Sequence, residues 1–304
     1  MKILILKLGA TGDVVRTTPI LRRLEGDVTW ITAEKNLVFL QNLDRPVRCL
    51  PWEQREKALG AKYDLVISLE DTPDVGAYAR SVSTRQLFGA YAEGEQMRYT
   101  DDSRRWFDLS LISVHGKEEA DRLKAKNRQT YQDLIFEGLG FRFAEESYVL
   151  PPGLKTDLHG DVAIAPEGGP VWPMKNWAYY DTLKSLLEKN GLRVNVLPMR
   201  RSLLEHLADV ENHRCLVSGD SLPMHLALGK KRRCVSLFTC TSPWEIHDYG
   251  LQTKLISPLL QEFFYKRGFD KRATTAIGVE EVLDNTLKQL AESFKGDKSK
   301  VDET

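Results

Sequence analysis

Short apolar runs alternate with helix-spaced apolar residues along most of the chain. Lys2 to Leu8 reads as a buried strand, and Val14 to Leu24 follows with apolar residues at helical spacing. Val28 to Thr32 and Asp64 to Leu69 are further strand runs, and Glu118 to Leu139 is a long helical stretch with a break near Asn127. Two prolines and a glycine in Leu150 to Leu154 mark a turn or linker. The pattern then restarts. Strands are expected at Asp161 to Ala165, Arg193 to Leu197, Arg214 to Ser218 and Cys234 to Phe238. Helices are expected at Asn176 to Lys189, Ser202 to Val210 and Pro223 to Leu228, and Val279 to Phe294 carries the cleanest apolar face. Strand-helix alternation of this kind implies parallel sheets covered by helices on both faces. The expected division is an α/β domain over 1–152, a second over 153–278, a closing helix over 279–294 that packs back on the first domain, and a frayed polar tail over 295–304.

Composition narrows the function classes. The 43 basic and 43 acidic residues cancel, so no global field favours nucleic acid or an anionic membrane. The basic clusters, such as Lys230 to Arg233 and Lys266 to Arg272, read as solvated faces. Four cysteines without a Cys-x-x-Cys pair suggest neither a disulfide scaffold nor zinc, and fit a reducing cytoplasm. No apolar run is long enough to cross a membrane, and none reads as a signal peptide. No metal site and no cofactor is expected.

Ligands of open α/β sheets bind beyond the carboxyl ends of the strands, so five strand-to-loop junctions are candidates. In Lys7 to Arg16, Gly9 and Gly12 permit a tight turn before Asp13, which either caps a helix or presents a carboxylate. Glu70, Asp71 and Asp74 follow the strand at 64–69 and either hold hydroxyls of a polar acceptor or cap a helix near Pro73. Lys175 ends a Gly/Pro-rich loop, where a helix expected from Asn176 would present phosphate-binding N–H groups. Ser218 to Ala227 offers Asp220, Ser221 and His225, the last read first as an ordinary packed histidine. Thr239, Thr241 and Ser242 precede a helix expected to start at Pro243. The dinucleotide fingerprint and the P-loop are both absent, which argues against a nicotinamide-dependent oxidoreductase and a P-loop nucleotidase.

Together these residues resemble glycosyltransferase family 9, the heptosyltransferases of lipopolysaccharide core assembly. The opening MKILILKLGATGDVVRTTPILRRL is similar to the family's first strand and helix. SGDSLPMHLALGKKRRCVSLFTCTSPWEIHDYG resembles its donor signature, WPMKNW its Lys-x-Trp motif and VEEVL its closing helix. The resemblance implies the GT-B fold, two Rossmann-like domains facing across a cleft. It implies inverting, metal-independent transfer, typically of heptose from an ADP-linked donor to a glycan or glycolipid acceptor, without nucleic acid. It also implies a cytoplasmic protein with peripheral contact at the inner membrane.

Asp13 matches the family's general base, with Gly12, Glu70 and Asp71 on the acceptor side. Lys175, Asp220, Ser221, Leu222, Met224, His225, Thr241 and Ser242 match the donor side. The chain departs from the family at Ser68 to Asp71, where Asp-x-Gln-Gly is usual, and at Leu222, where glycine is common. The other readings are a transferase using another donor or a protein acceptor, and a nucleotide-sugar-binding protein without catalysis.

Overall fold

The computed structural model describes residues 1–110 and 115–298. The chain divides into two compact units, Met1–Pro151 with Trp244–His247, and Pro152–Pro243 with the residues from Asp248 onward.

The first unit is built on a six-stranded sheet. Its strands are β1 (Lys2–Leu6), β2 (Asp27–Thr32), β3 (Val47–Pro51), β4 (Tyr63–Ser68), β5 (Thr84–Glu93) and β6 (Gln96–Tyr99), in the order β3-β2-β1-β4-β5-β6. All neighbours are parallel except β5 and β6. Successive residues of β1 serve opposite faces. Ile3 and Ile5 join one core with Trp30, Ile67 and Phe88, while Leu4 and Leu6 join another with Ile31 and Val66. A strand covered on both sides has no polar face, which explains the unbroken apolar run. The helices are α1 (Thr11–Thr17), α2 (Pro73–Ser81), α3 (Arg104–Ser110), α4 (Lys117–Lys126) and α5 (Tyr131–Gly138). The break expected near Asn127 is the end of α4, and a capping box of Thr130 and Asp133 starts α5.

The second unit holds β7 (Gly160–Ala165), β8 (Val194–Val196), β9 (His213–Gly219), β10 (Arg233–Phe238) and β11 (Gln252–Ile256), all parallel in the order β11-β10-β9-β7-β8. Its helices are α6 (Tyr180–Lys189), α7 (Leu203–Glu211), α8 (Leu222–Gly229), α9 (Leu260–Phe263), α10 (Lys271–Thr275) and α11 (Val279–Lys298). The architecture is α/β, with a mostly parallel doubly wound sheet in the first unit and a wholly parallel one in the second.

Three expectations are corrected. Helix α11 packs in the core of its own unit, where Val282 and Leu290 lie with Val217, Val235 and Leu237. It runs on through Lys298, past the break expected at 294, and residues 299–304 of the expected tail lie outside the described residues. No helix starts at Asn176; α6 begins at Tyr180, because the Asn176 carboxamide oxygen accepts from the Gly168 N–H at 2.7 Å and closes the preceding loop. No helix follows Pro243 either. Residues 244–247 join the first unit, where the Glu245 carbonyl accepts from Tyr131 N–H at 2.9 Å and Ile246 is buried.

Candidate active site

Each sheet reverses direction of winding at one point: between β1 and β4 in the first unit, and between β7 and β9 in the second. Doubly wound sheets open a crevice at such points. The candidate residues sit on the loops that leave them.

In the first unit, the loop after β1 is held from below by a buried ion pair. Lys7 is buried at the end of the strand, and its Nζ donates to Glu70 Oε1 at 2.9 Å. The same carboxylate oxygen accepts from the Leu8 and Gly9 N–H groups, both at 2.6 Å. Gly9 is needed here because a Cβ would lie 2.9 Å from Lys7 Nζ and 3.2 Å from Glu70 Oε1. Burial works against the Lys7 charge, but Glu70, Asp13 and Tyr131 together hold its pKa above the usual lysine range. Glu70 therefore shapes the loop. Its Oε1 is committed to the protein's own backbone and to Lys7. Asp71 is half-buried in the β4–α2 loop, and Gly12 is the second residue of α1.

Asp13 is not the cap of α1. Ala10 occupies that position, and Asp13 is the third residue of the helix, with a side chain 35% exposed. Its Oδ1 lies 3.0 Å from Arg16 NH2. Arg16 pairs with this carboxylate, and Tyr131 and Glu245 lie against Arg16; sequence reasoning misses all three. The Asp-x-x-Arg spacing on a helix is a usable signal for Arg16. Nothing local points to Glu245, more than 200 residues away in the chain.

In the second unit, Lys175 ends a 3-10 turn, Pro173–Lys175, and is 8% exposed. Its Nζ donates to the Asp220 carbonyl at 2.6 Å and to Asp220 Oδ2 at 2.9 Å, and Thr241 Oγ1 donates to the same Oδ2 at 2.8 Å. Burial opposes the Asp220 charge, yet Lys175, His225 and these hydrogen bonds bring its pKa down to about 2. The loop is tight: a Cβ on Gly168 would lie 2.6 Å from the Lys175 Cβ. Three strand ends thus converge on one carboxylate, through Lys175 after β7, Asp220 after β9 and Thr241 after β10.

Ser221 is the residue before α8, and Leu222 and Pro223 begin that helix. His225 is buried within it. Met224 is wholly buried, so its side chain belongs to the core and not to a ligand surface. Ser242 is buried with its Oγ without a hydrogen-bond partner among the described residues.

A cavity of about 330 Å³ opens beside this cluster. It is lined by apolar side chains, among them Val196, Leu197, Pro198 and Leu203, with Leu222 and Pro223 at the start of α8. Arg200 and His206 add polar edges. Sequence reasoning misses this cavity, because β8 to α7 carries no polar motif. Among the described residues, no helix is long and apolar enough to cross a membrane, and no three His, Cys, Asp or Glu side chains group as metal ligands.

Comparison with known proteins follows the same lines. The family model of glycosyltransferase family 9 (heptosyltransferase) matches residues 171–263, the stretch that carries Lys175, Asp220, His225 and Thr241. No curated protein matches by sequence. The family 9 glycosyltransferase of Veillonella parvula DSM 2008 has a similar structure, with a TM-score of 0.64 at 16% identity over 96% of this chain and 97% of that one. The E. coli heptosyltransferase WaaC, solved with ADP, gives 0.59 at 15% identity over 96% and 100%. E. coli ADP-heptose lps heptosyltransferase II gives 0.58 at 14% over 96% and 99%. At these identities the structural likeness is one of fold. The chain thus resembles the family 9 heptosyltransferases in sequence across the segment that builds the Lys175 cluster, and in fold over nearly its whole length.

Proposed function

We propose that the protein transfers heptose from ADP-heptose to a sugar hydroxyl of a glycolipid acceptor, as in lipopolysaccharide core assembly, with inversion at C1 and without a metal ion. The observation that carries this reading is the Lys175–Asp220–Thr241 cluster at the switch point of the second sheet. An ammonium has three N–H donors. Two are directed at Asp220, which holds the nitrogen in place, and the third serves an oxygen of the donor diphosphate. Ser242 Oγ, buried and without a partner among the described residues, suits a polar atom of the same ligand. The apolar cavity beside α8 suits the adenine ring, and its volume lies at the small end of ligand pockets.

The chemistry then needs a base and a stabilised leaving group. The acceptor oxygen attacks C1 of the heptose, the bond from C1 to the β-phosphate oxygen breaks, and ADP leaves with the bonding pair. Asp13 takes the proton of the attacking hydroxyl. A positioned base contributes about 10²–10⁴ in rate. Charge growing on the diphosphate is met by Lys175 in a site with little water, where a fixed cation counts for more than in bulk.

This reading builds on the family match and on the donors of the two E. coli enzymes, one solved with ADP and the other described as an ADP-heptose transferase. The test is calorimetric titration with ADP-, GDP- and UDP-sugars, followed by diphosphate release with a heptose-free lipopolysaccharide inner core. Preference for ADP-heptose and core-dependent ADP release are expected. Tighter binding of a UDP- or GDP-sugar, or no transfer to the core, overturns it.

A further inference from the structure

Arg16 is built into the first unit more firmly than a surface ion pair requires. Its side chain is 14% exposed, against 35% for Asp13, its partner one turn back on α1. The guanidinium carbon lies 4.3 Å from the centre of the Tyr131 ring and 5.8 Å from that of Trp106. Those two rings meet edge to face at 4.5 Å. Tyr131 is fixed at both ends. Its N–H donates to the Glu245 carbonyl, and its hydroxyl lies 2.6 Å from Thr17 Oγ1, which itself donates to the Asp13 carbonyl. Glu245, with a side chain 8% exposed, places Oε2 3.9 Å from Arg16 NH1. One guanidinium is thus held by α3, α5 and the segment 244–247. An exposed helix pair of this spacing contributes only about 0.3–0.5 kcal/mol and needs no such enclosure.

We propose that Arg16 is the positioning residue of Asp13, fixing the plane of its carboxylate and keeping it ionised for proton transfer, with Glu245 and the Tyr131 ring fixing Arg16. The inference rests on Asp13 acting as the base. A guanidinium suits this role because it is planar, always charged, stacks on aromatic faces and binds a carboxylate along a defined direction, a combination that lysine does not reproduce. The charged and titratable groups acting on Asp13 include the cations Arg16 and Lys7 and the phenol of Tyr131, while Glu245 acts on Arg16. Lys7, which also acts on Asp13, is itself paired with Glu70.

The test compares Arg16→Gln, Arg16→Lys, Glu245→Gln and Asp13→Asn by kcat, KM for ADP-heptose, ADP affinity, melting temperature and the pH dependence of kcat/KM. Carboxyl NMR titration of Asp13 is added as a readout independent of turnover. Arg16→Gln is expected to lower kcat about ten- to hundredfold, as small misplacements of reacting groups do. KM and ADP affinity should hold, and the acid limb of the profile and the Asp13 titration should both move to higher pH. Arg16→Lys should restore the titration but not the full rate. Glu245→Gln should give a smaller loss of kcat of the same kind. An Asp13→Asn enzyme of normal rate removes the base assignment and this inference with it. An inactive Asp13→Asn beside an Arg16→Gln of normal kcat and unmoved Asp13 titration overturns the inference alone. Where Arg16→Gln does not fold, Arg16→Lys at full rate overturns it.

Discussion

Lys175 Nζ sits between the carbonyl and the carboxylate of one residue, Asp220, at 2.6 and 2.9 Å. The pair joins the loop after β7 to the loop after β9, so the cation's position is set by both strand ends. Lys175→Ala should weaken ADP binding about ten- to hundredfold, since a charged hydrogen bond contributes about 1.5–3 kcal/mol. Asp220→Asn keeps the shape but loosens the hold on the ammonium, and should cost kcat more than ADP affinity. Calorimetry with ADP and steady-state kinetics separate the two. Unchanged affinity in Lys175→Ala removes the assignment.

The same pair makes stability depend on acid. Asp220 has its pKa lowered to about 2 in the folded protein, against about 3.9 in the unfolded chain. A carboxylate with a depressed pKa stabilises fully above its unfolded value, and that contribution is lost as pH falls through the folded one. The window is therefore about pH 4 down to about 2, and the size about 2 kcal/mol. Melting curves should show the wild type losing this increment over that window and Asp220→Asn losing less.

Glu70 gives a different expectation from the acceptor ligand that its sequence position suggests. Glu70→Ala strips acceptors from Leu8 N–H, Gly9 N–H and Lys7 Nζ at once and leaves a buried ammonium unpaired. Breaking a buried pair this way costs about 3–5 kcal/mol. Glu70→Gln retains one oxygen for the backbone and should lose less. A large drop in melting temperature for Glu70→Ala is the expected result. A stable variant with raised KM for the acceptor would return Glu70 to the substrate.

Asp13→Asn separates local structure from chemistry. Asp13 is not the helix cap, and Asn keeps the shape of its side chain next to Arg16. The rate should fall by about two to four orders of magnitude with ADP affinity kept. A near-normal rate would exclude it as the base.

His225 is buried in α8 and contributes to lowering the Asp220 pKa. His225→Ala should reduce turnover through the Asp220–Lys175 pair while the protein stays folded. A much lower melting temperature with normal activity per folded molecule would make it a packing residue only.

Sequence periodicity is most informative where both faces of a strand are buried. The β1, β4, β7, β9 and β10 runs are apolar nearly throughout, and each is legible. Two of the edge strands are not: β3 reads Val-Arg-Cys-Leu-Pro and β11 Gln-Thr-Lys-Leu-Ile, with polar residues that break the apolar run. Lys175 and Asp220 are legible as candidates because Gly/Pro-rich loops announce strand ends. Their mutual contact is not, because it depends on the order in which β7 and β9 lie side by side. The sequence also suggests a helix N-terminus at Lys175 that does not exist, since Asn176 is used to close its own loop. Glu70 reads as an acceptor ligand or a helix cap, and its hold on Lys7 and on the Leu8 and Gly9 N–H groups is not legible, because it joins the loop after β4 to the end of β1.

The excursion of residues 244–247 into the first unit means that this unit is not encoded by one stretch of chain. A polypeptide ending at Pro151 lacks the carbonyl that receives Tyr131 N–H, the Ile246 side chain and the carboxylate beside Arg16. It is a fragment with a missing part, and it should fold less stably than its length suggests. Supplying residues 152–304 as a separate chain should restore it, so that two inactive halves become one active protein on mixing. Gene fusions and circular permutations that treat the linker near Pro152 as the natural seam would meet the same constraint: the seam passes through two further places, on either side of Trp244–His247.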